Sequence, residues 1–251
     1  MEKITKKALI LFANPKGTQK IKLRKERKII EETLKKLSDD KNGLEIKYID
    51  GSTIDDLCDE LLTGNYHILQ ISSHGTENGL ILERENGKPH VIKPEALAKL
   101  LKKFRSLECV IFNACYSIAQ GKHTAAYVPY TIAMQEAIAD EAARRFSRGF
   151  YSAIATGNSY EFAFTHGCDA AGFAEDNQFQ AELLTPRPIS REANYEKTAP
   201  DNNDLPESVP SPTGNTINVN GNRNVVIGGN MRNSRVYTGN SNFASEEEID
   251  E

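Results

Sequence analysis

Short continuous apolar runs alternate with stretches of helical spacing over the first 175 residues. Ala8–Ala13 (ALILFA) is closed by Asn14-Pro15 and predicts a strand buried on both faces. Leu23, Arg27, Ile30, Leu34 and Leu37 recur at helical spacing and predict an amphipathic helix over 23–37. The same reading gives strands at 44–49 and 66–72 with a helix over 54–62 between them. A hairpin follows at 80–83 and 90–92 around the turn sequence ENGKP, then a helix opening at Pro94 and running to 104. Further strands are expected at 108–113 and 128–134, with the stretch from Tyr116 to Tyr127 as a loop bordering the cleft. Two helices over 139–155 and 160–173 close the domain. Such alternation implies a mostly parallel sheet covered by helices.

The pattern changes near residue 176. From 176 to 213 the chain carries Pro186, Pro188, Pro200, Pro206, Pro210 and Pro212 with few large apolar residues, which reads as an extended linker. Gly-Asn then recurs at 214, 221, 229 and 239, separated by Ile217/Val219, Val225–Ile227 and Val236/Tyr237. Over 214–243 these alternating β-branched residues and Gly-Asn turns suit strands that stack on copies of themselves or on a similar segment of a partner; the other reading is a disordered Asn-rich tail. The acidic end, 244–251, reads as a solvated gatekeeper. The expected organisation is therefore a domain at 1–175, a linker, a repeat and an acidic tail.

Composition narrows the function. The chain has 251 residues, a net charge of -4 and a pI near 5.8, so no global basic field draws it to nucleic acid. Seven Lys/Arg against one Glu between Lys16 and Lys28 lack stacking aromatics and read as a solvated face, and nucleic acid is not an expected partner. No apolar run approaches the roughly 18 residues of a membrane span, and a cytoplasmic protein is expected. Cys58, Cys109, Cys115 and Cys168 form no C-x-x-C pair, no zinc ligand set is apparent, and Gly17-Thr18 lacks a P-loop pattern. No metal or cofactor is expected.

Open parallel sheets place their sites at the carboxyl ends of strands. His74, in Ser72-Ser73-His74-Gly75, directly follows the third predicted strand; Cys115, in Asn113-Ala114-Cys115-Tyr116-Ser117, directly follows the fourth core strand. If these strands are neighbours, a thiol and an imidazole meet at one edge, where the imidazole can take the thiol proton and return it to a leaving amine. The N–H groups of Gly75 and Cys115 could hold a developing oxyanion, with Ser73 and Asn113 as pocket walls. Each residue alone also has a plain reading, as packing or as a turn.

The segments QISSHG, GLILE, VIFNACYS and VPYTIAMQEAIADEAARRFSRGFYSAIATGNSYEFAF closely resemble the CHAT branch of the caspase-like cysteine peptidases, over roughly residues 8 to 173. The resemblance implies a caspase-hemoglobinase-like α/β fold, a catalytic dyad of His74 and Cys115, and a protein substrate. It also implies that Asn113, two positions before the nucleophile, stands where relatives place a specificity residue. Asp140 matches an acidic position of the family that could select a basic side chain; alternatively it caps the following helix. The Asn/Gly tail is similar to signalling motifs that recruit effectors to STAND or NLR-like sensors in bacterial defence or cell-death pathways. The expected function is an intracellular cysteine endopeptidase clustered through residues 214–243, with a non-catalytic caspase-like adaptor as the alternative.

Overall fold

The structure is a computed structural model that describes residues 6–37, 43–174, 179–186, 217–220 and 224–227, the last two segments as backbone strands. In its central sheet, strands β1 (Lys6–Phe12), β2 (Leu44–Asp50), β3 (Ile68–Ser72), β7 (Cys109–Asn113) and β8 (Tyr130–Met134) are parallel, and β9 (Gln180–Leu184), β10 (Ile217–Asn220) and β11 (Asn224–Ile227) continue antiparallel. The strand order is β11-β10-β9-β8-β7-β3-β1-β2. A small antiparallel sheet, β4 (His74–Thr76), β5 (Gly79–Glu83) and β6 (Pro89–Ile92), lies between β3 and β7 in sequence.

The apolar runs become strands because both sheet faces are covered. Ala8, Ile10 and Phe12 enter one core with Ile30 of α1 (Leu23–Leu37), Phe146 and Phe150 of α5 (Asp140–Ala155), and Phe164 of α6 (Tyr160–Ala171). Leu9, Leu11 and Ala13 enter the other with Leu57 of α2 (Ile54–Thr63) and Leu97 of α3 (Pro94–Leu101). Every residue from Ala8 to Ala13 is buried, which removes the alternation a one-sided strand would show. Helix α2 opens with a reciprocal cap: Thr53 Oγ1 accepts from Asp56 N at 3.1 Å and Asp56 Oδ2 accepts from Thr53 N at 2.8 Å. No helix among the described residues is long and apolar enough to cross a membrane.

The expected hairpin gains a third strand, β4, and two further segments differ from the sequence expectation. The expected loop between Tyr116 and Tyr127 contains helix α4 (Ile118–Thr124), which packs so closely that a Cβ on Gly121 would lie 2.6 Å from Ala133 Cβ and 2.8 Å from Leu184 Cδ1. The segment expected to begin the linker contains β9, whose Ala181 and Leu183 are buried against the α5/α6 side. The remainder of the expected linker, most of the Asn/Gly repeat and the acidic end lie outside the described residues.

If β9 belongs to the core, Leu183→Ala should lower the unfolding free energy by about 3 kcal/mol, measured by urea denaturation of the full chain. A loss below about 0.5 kcal/mol would place β9 outside the cooperative unit.

Candidate active site

Strands β3 and β7 are parallel neighbours in the register Ile68↔Cys109 through Ser72↔Asn113. His74 and Cys115 each lie two residues beyond the last registered pair, so both emerge at the carboxyl edge of the sheet. This edge is also a topological switch point: β1 and β3 are neighbours, yet the chain leaves β1 toward β2 and leaves β3 toward β7. The two main chains then approach more closely than a side chain would allow. A Cβ on Gly75 would lie 2.0 Å from the Cys115 carbonyl oxygen, so glycine is required there.

His74 and Cys115 line one cavity of about 330 Å³. Its walls come from the end of the β1–α1 connection (Gln19–Leu23), from Ser73, from Asn113 and Ala114, and from the start of α5 with the residues before it. His74 Nε2 lies 2.6 Å from the Gln19 carbonyl oxygen. A carbonyl can only accept, so Nε2 is the donor in this contact. Cys115 Sγ accepts the N–H of Ile138 at 3.4 Å, which ties the segment before α5 to the sulfur. The turn carrying the sulfur is strained: Tyr116 has φ +53, the only positive φ at a non-glycine position among the described residues. Ser117 holds that turn, its Oγ donating to Phe112 O and accepting from Met134 N, each at 2.9 Å.

On the cavity wall sits Glu26, a buried carboxyl on a helix otherwise rich in Lys and Arg. Its Oε1 accepts from Ser147 Oγ (2.7 Å), Gln70 Nε2 (2.7 Å), Asn113 Nδ2 (2.8 Å) and Ser72 Oγ (3.1 Å), joining α1, β3, β7 and α5 at one atom. Burial pushes its pKa up, and the four donors, led by Ser147 and Asn113, oppose that without cancelling it. Gln70 Oε1 and Asn113 Oδ1 are buried acceptors without a partner among the described residues. A proton on Glu26 adds a donor to a cluster that is short of them.

The sequence-predicted residues fall as follows. Ser73, His74, Asn113, Cys115 and Asp140 all line the cavity. Gly75 does not; it lies back-to-back with Cys115 just outside. Ser73 Oγ donates to His74 O at 3.0 Å. Asn113 is 5% exposed and anchors on Glu26. Asp140 does not cap α5: the cap residue is Ala139, without a side-chain bond, and Asp140 Oδ2 instead accepts Lys22 N at 3.2 Å. Among the other thiols, burial pushes Cys109 and Cys168 up, and burial with nearby Asp55 and Asp59 does the same to Cys58. Sequence reasoning missed Gln19, which acts through its main chain, and Glu26, a lone acid in a basic stretch whose burial is its only sign.

A family model described as the CHAT domain matches residues 2–166. The fold is similar to that of a secreted C11 cysteine protease from Bacteroides thetaiotaomicron, solved with an irreversible peptide inhibitor, at 11% identity and a TM-score of 0.55. The alignment covers 72% of this chain and 66% of that one, just under two thirds of its length. The Drosophila initiator caspase Dronc aligns at 11% identity and a TM-score of 0.49, over 74% of this chain and 81% of that one. Among curated proteins no sequence match is found.

Because the folded state holds the Glu26 proton more tightly than the unfolded chain, stability should fall as pH rises from the ordinary carboxylate pKa through the raised one. Glu26→Gln mimics the neutral acid, so urea unfolding should show that slope removed and stability at pH 7 equal to or above wild type. Glu26→Ala strands four donors and should cost about 3 kcal/mol at acidic pH, and less as pH rises through the raised pKa. A Gln variant with an unchanged pH slope would contradict the raised pKa.

Proposed function

This chain belongs to the CHAT domain family, and from that membership and the site geometry we propose a cysteine endopeptidase in which Cys115 is the nucleophile and His74 the general base and acid. The observation that carries the reading is the β3–β7 register, which brings a thiol and an imidazole from strand ends 41 residues apart in sequence into one cavity. The Gln19 carbonyl takes the place of an orienting carboxylate, fixing the imidazole by its Nε2 proton.

In this mechanism Nδ1 of His74 takes the Cys115 proton as Sγ bonds to the scissile carbonyl carbon, and the carbonyl π pair moves onto oxygen. The N–H groups of Gly75 and Cys115, whose main chains lie against each other, are the proposed donors to that oxyanion. As the tetrahedral species collapses, the C–N bond breaks and Nδ1 returns its proton to the leaving amine. Water, deprotonated at the same nitrogen, then hydrolyses the thioester and restores the thiol. Asp140, on the cavity wall, is the proposed specificity residue, with Asn113 and Ser73 shaping the walls.

Residues 214–243 are proposed as the assembly segment, acting on further copies or on a STAND or NLR-like sensor in a defence or cell-death pathway. The alternation of β-branched residues supports this, as do β10 and β11, which form an antiparallel hairpin added to β9. Linking a weak assembly segment to an enzyme raises local enzyme concentration without new contacts at the active site.

A peptidyl acyloxymethyl ketone should label the wild type and Cys109→Ala, and should fail to label Cys115→Ala or, by more than about 100-fold in rate, His74→Ala. Labelling of none of them, in any assembled state, would favour a non-catalytic adaptor. Deleting residues 214–251 should abolish oligomers in analytical ultracentrifugation and lower labelling at fixed protein concentration; unchanged size and labelling would remove the assembly role.

A further inference from the structure

A second groove, of about 690 Å³, lies against the catalytic cavity and shares Lys20, Ile21, Lys22 and Leu23 with it. Four exposed cations line it: Lys20, Lys22, Arg24 and Lys25. None of the four makes an ion pair with a described residue. Directly beyond the groove the pairing resumes, Arg27 with Glu31 and Asp50, Lys28 with Glu32. Asp50, the one acid lining the groove, is therefore already engaged.

The cations are also poorly placed for the fold itself. Arg24 and Lys25 occupy the first turn of α1, where the positive end of the helix dipole disfavours them, and the one acid of that turn, Glu26, points its carboxyl into the interior network. Four like charges without an ion-pair partner among the described residues raise the local potential and favour an anionic occupant.

We propose that this groove binds an acidic stretch of the protein substrate flanking the bond to be cleaved, an inference that rests on the peptidase reading. The shared wall supports a peptide over other anions, because a chain seated in the cavity lies against Lys20 and Lys22, which also line the groove. The floor argues against single-stranded nucleic acid: Phe12 is buried and the groove presents no exposed aromatic ring on which a base could stack.

The test uses the full-length Cys115→Ala protein, so that binding is read without turnover. A fluorescein-labelled octapeptide of alternating Glu and Ser should bind at least about tenfold tighter than its Gln counterpart, by anisotropy, and the difference should shrink as salt is raised. The double variant Arg24→Glu/Lys25→Glu should abolish the preference. Arg24→Lys/Lys25→Arg should retain it, and Lys28→Gln, outside the groove, should leave it unchanged; melting temperatures report whether each variant is folded. Equal binding of the two peptides, or tighter binding of a single-stranded RNA octamer, overturns the proposal. Because none of these readouts needs the nucleophile, a protein that prefers the acidic peptide but takes no ketone label would sink the peptidase reading and not the groove.

Discussion

The site depends on the in-register parallel pairing of β3 with β7. Ser72 opposite Asn113 is the last registered pair, and His74 and Cys115 each follow it by two residues. A slip of one residue would turn one of the two side chains to the opposite face of the sheet. The register is held from both faces: Leu69, Ile71, Val110 and Phe112 are buried on one side, Ile68, Cys109 and Ile111 on the other, and the Glu26 network joins Gln70, Ser72 and Asn113 on the latter. The same strands that form the core thus set the distance at which the chemistry is proposed to occur.

The residues around that pairing share a physical character: they hold unfavourable local arrangements in place. Gly75 permits a main-chain approach that any side chain would block, and Tyr116 adopts a left-handed backbone directly after the sulfur. Ser117 bonds that turn to both β7 and β8. Glu26 stays buried among four donors without a cationic partner. Strain of this kind is kept only where the surrounding structure over-determines it. Here the surroundings are two packed helical layers and a sheet buried on both faces.

The parts legible in the sequence were those where side-chain pattern and burial agree. The run ALILFA suits a buried strand, the bounds of helix α1 follow its apolar spacing, and His74 and Cys115 each follow a strand end. Helix α4 was illegible because IAQGKHT has no apolar period; Gly121 sits against Ala133 and Leu184 because it lacks a side chain. Strand β9 was illegible because only Ala181 and Leu183 face the core and prolines follow closely. Gln19 contributes a carbonyl, which every residue has. Glu26 belongs by sequence to the charged face of α1, and only the tertiary fold turns it inward.

The most direct measurement of the central claim is the ¹⁵N spectrum of the His74 ring before and after alkylation of Cys115, in a Cys58→Ser background to confine the reaction. The account predicts a protonated Nε2 in both states and a change in Nδ1 when the sulfur is blocked. An imidazole protonated at Nδ1 alone, or ring resonances that do not move on alkylation, would contradict it.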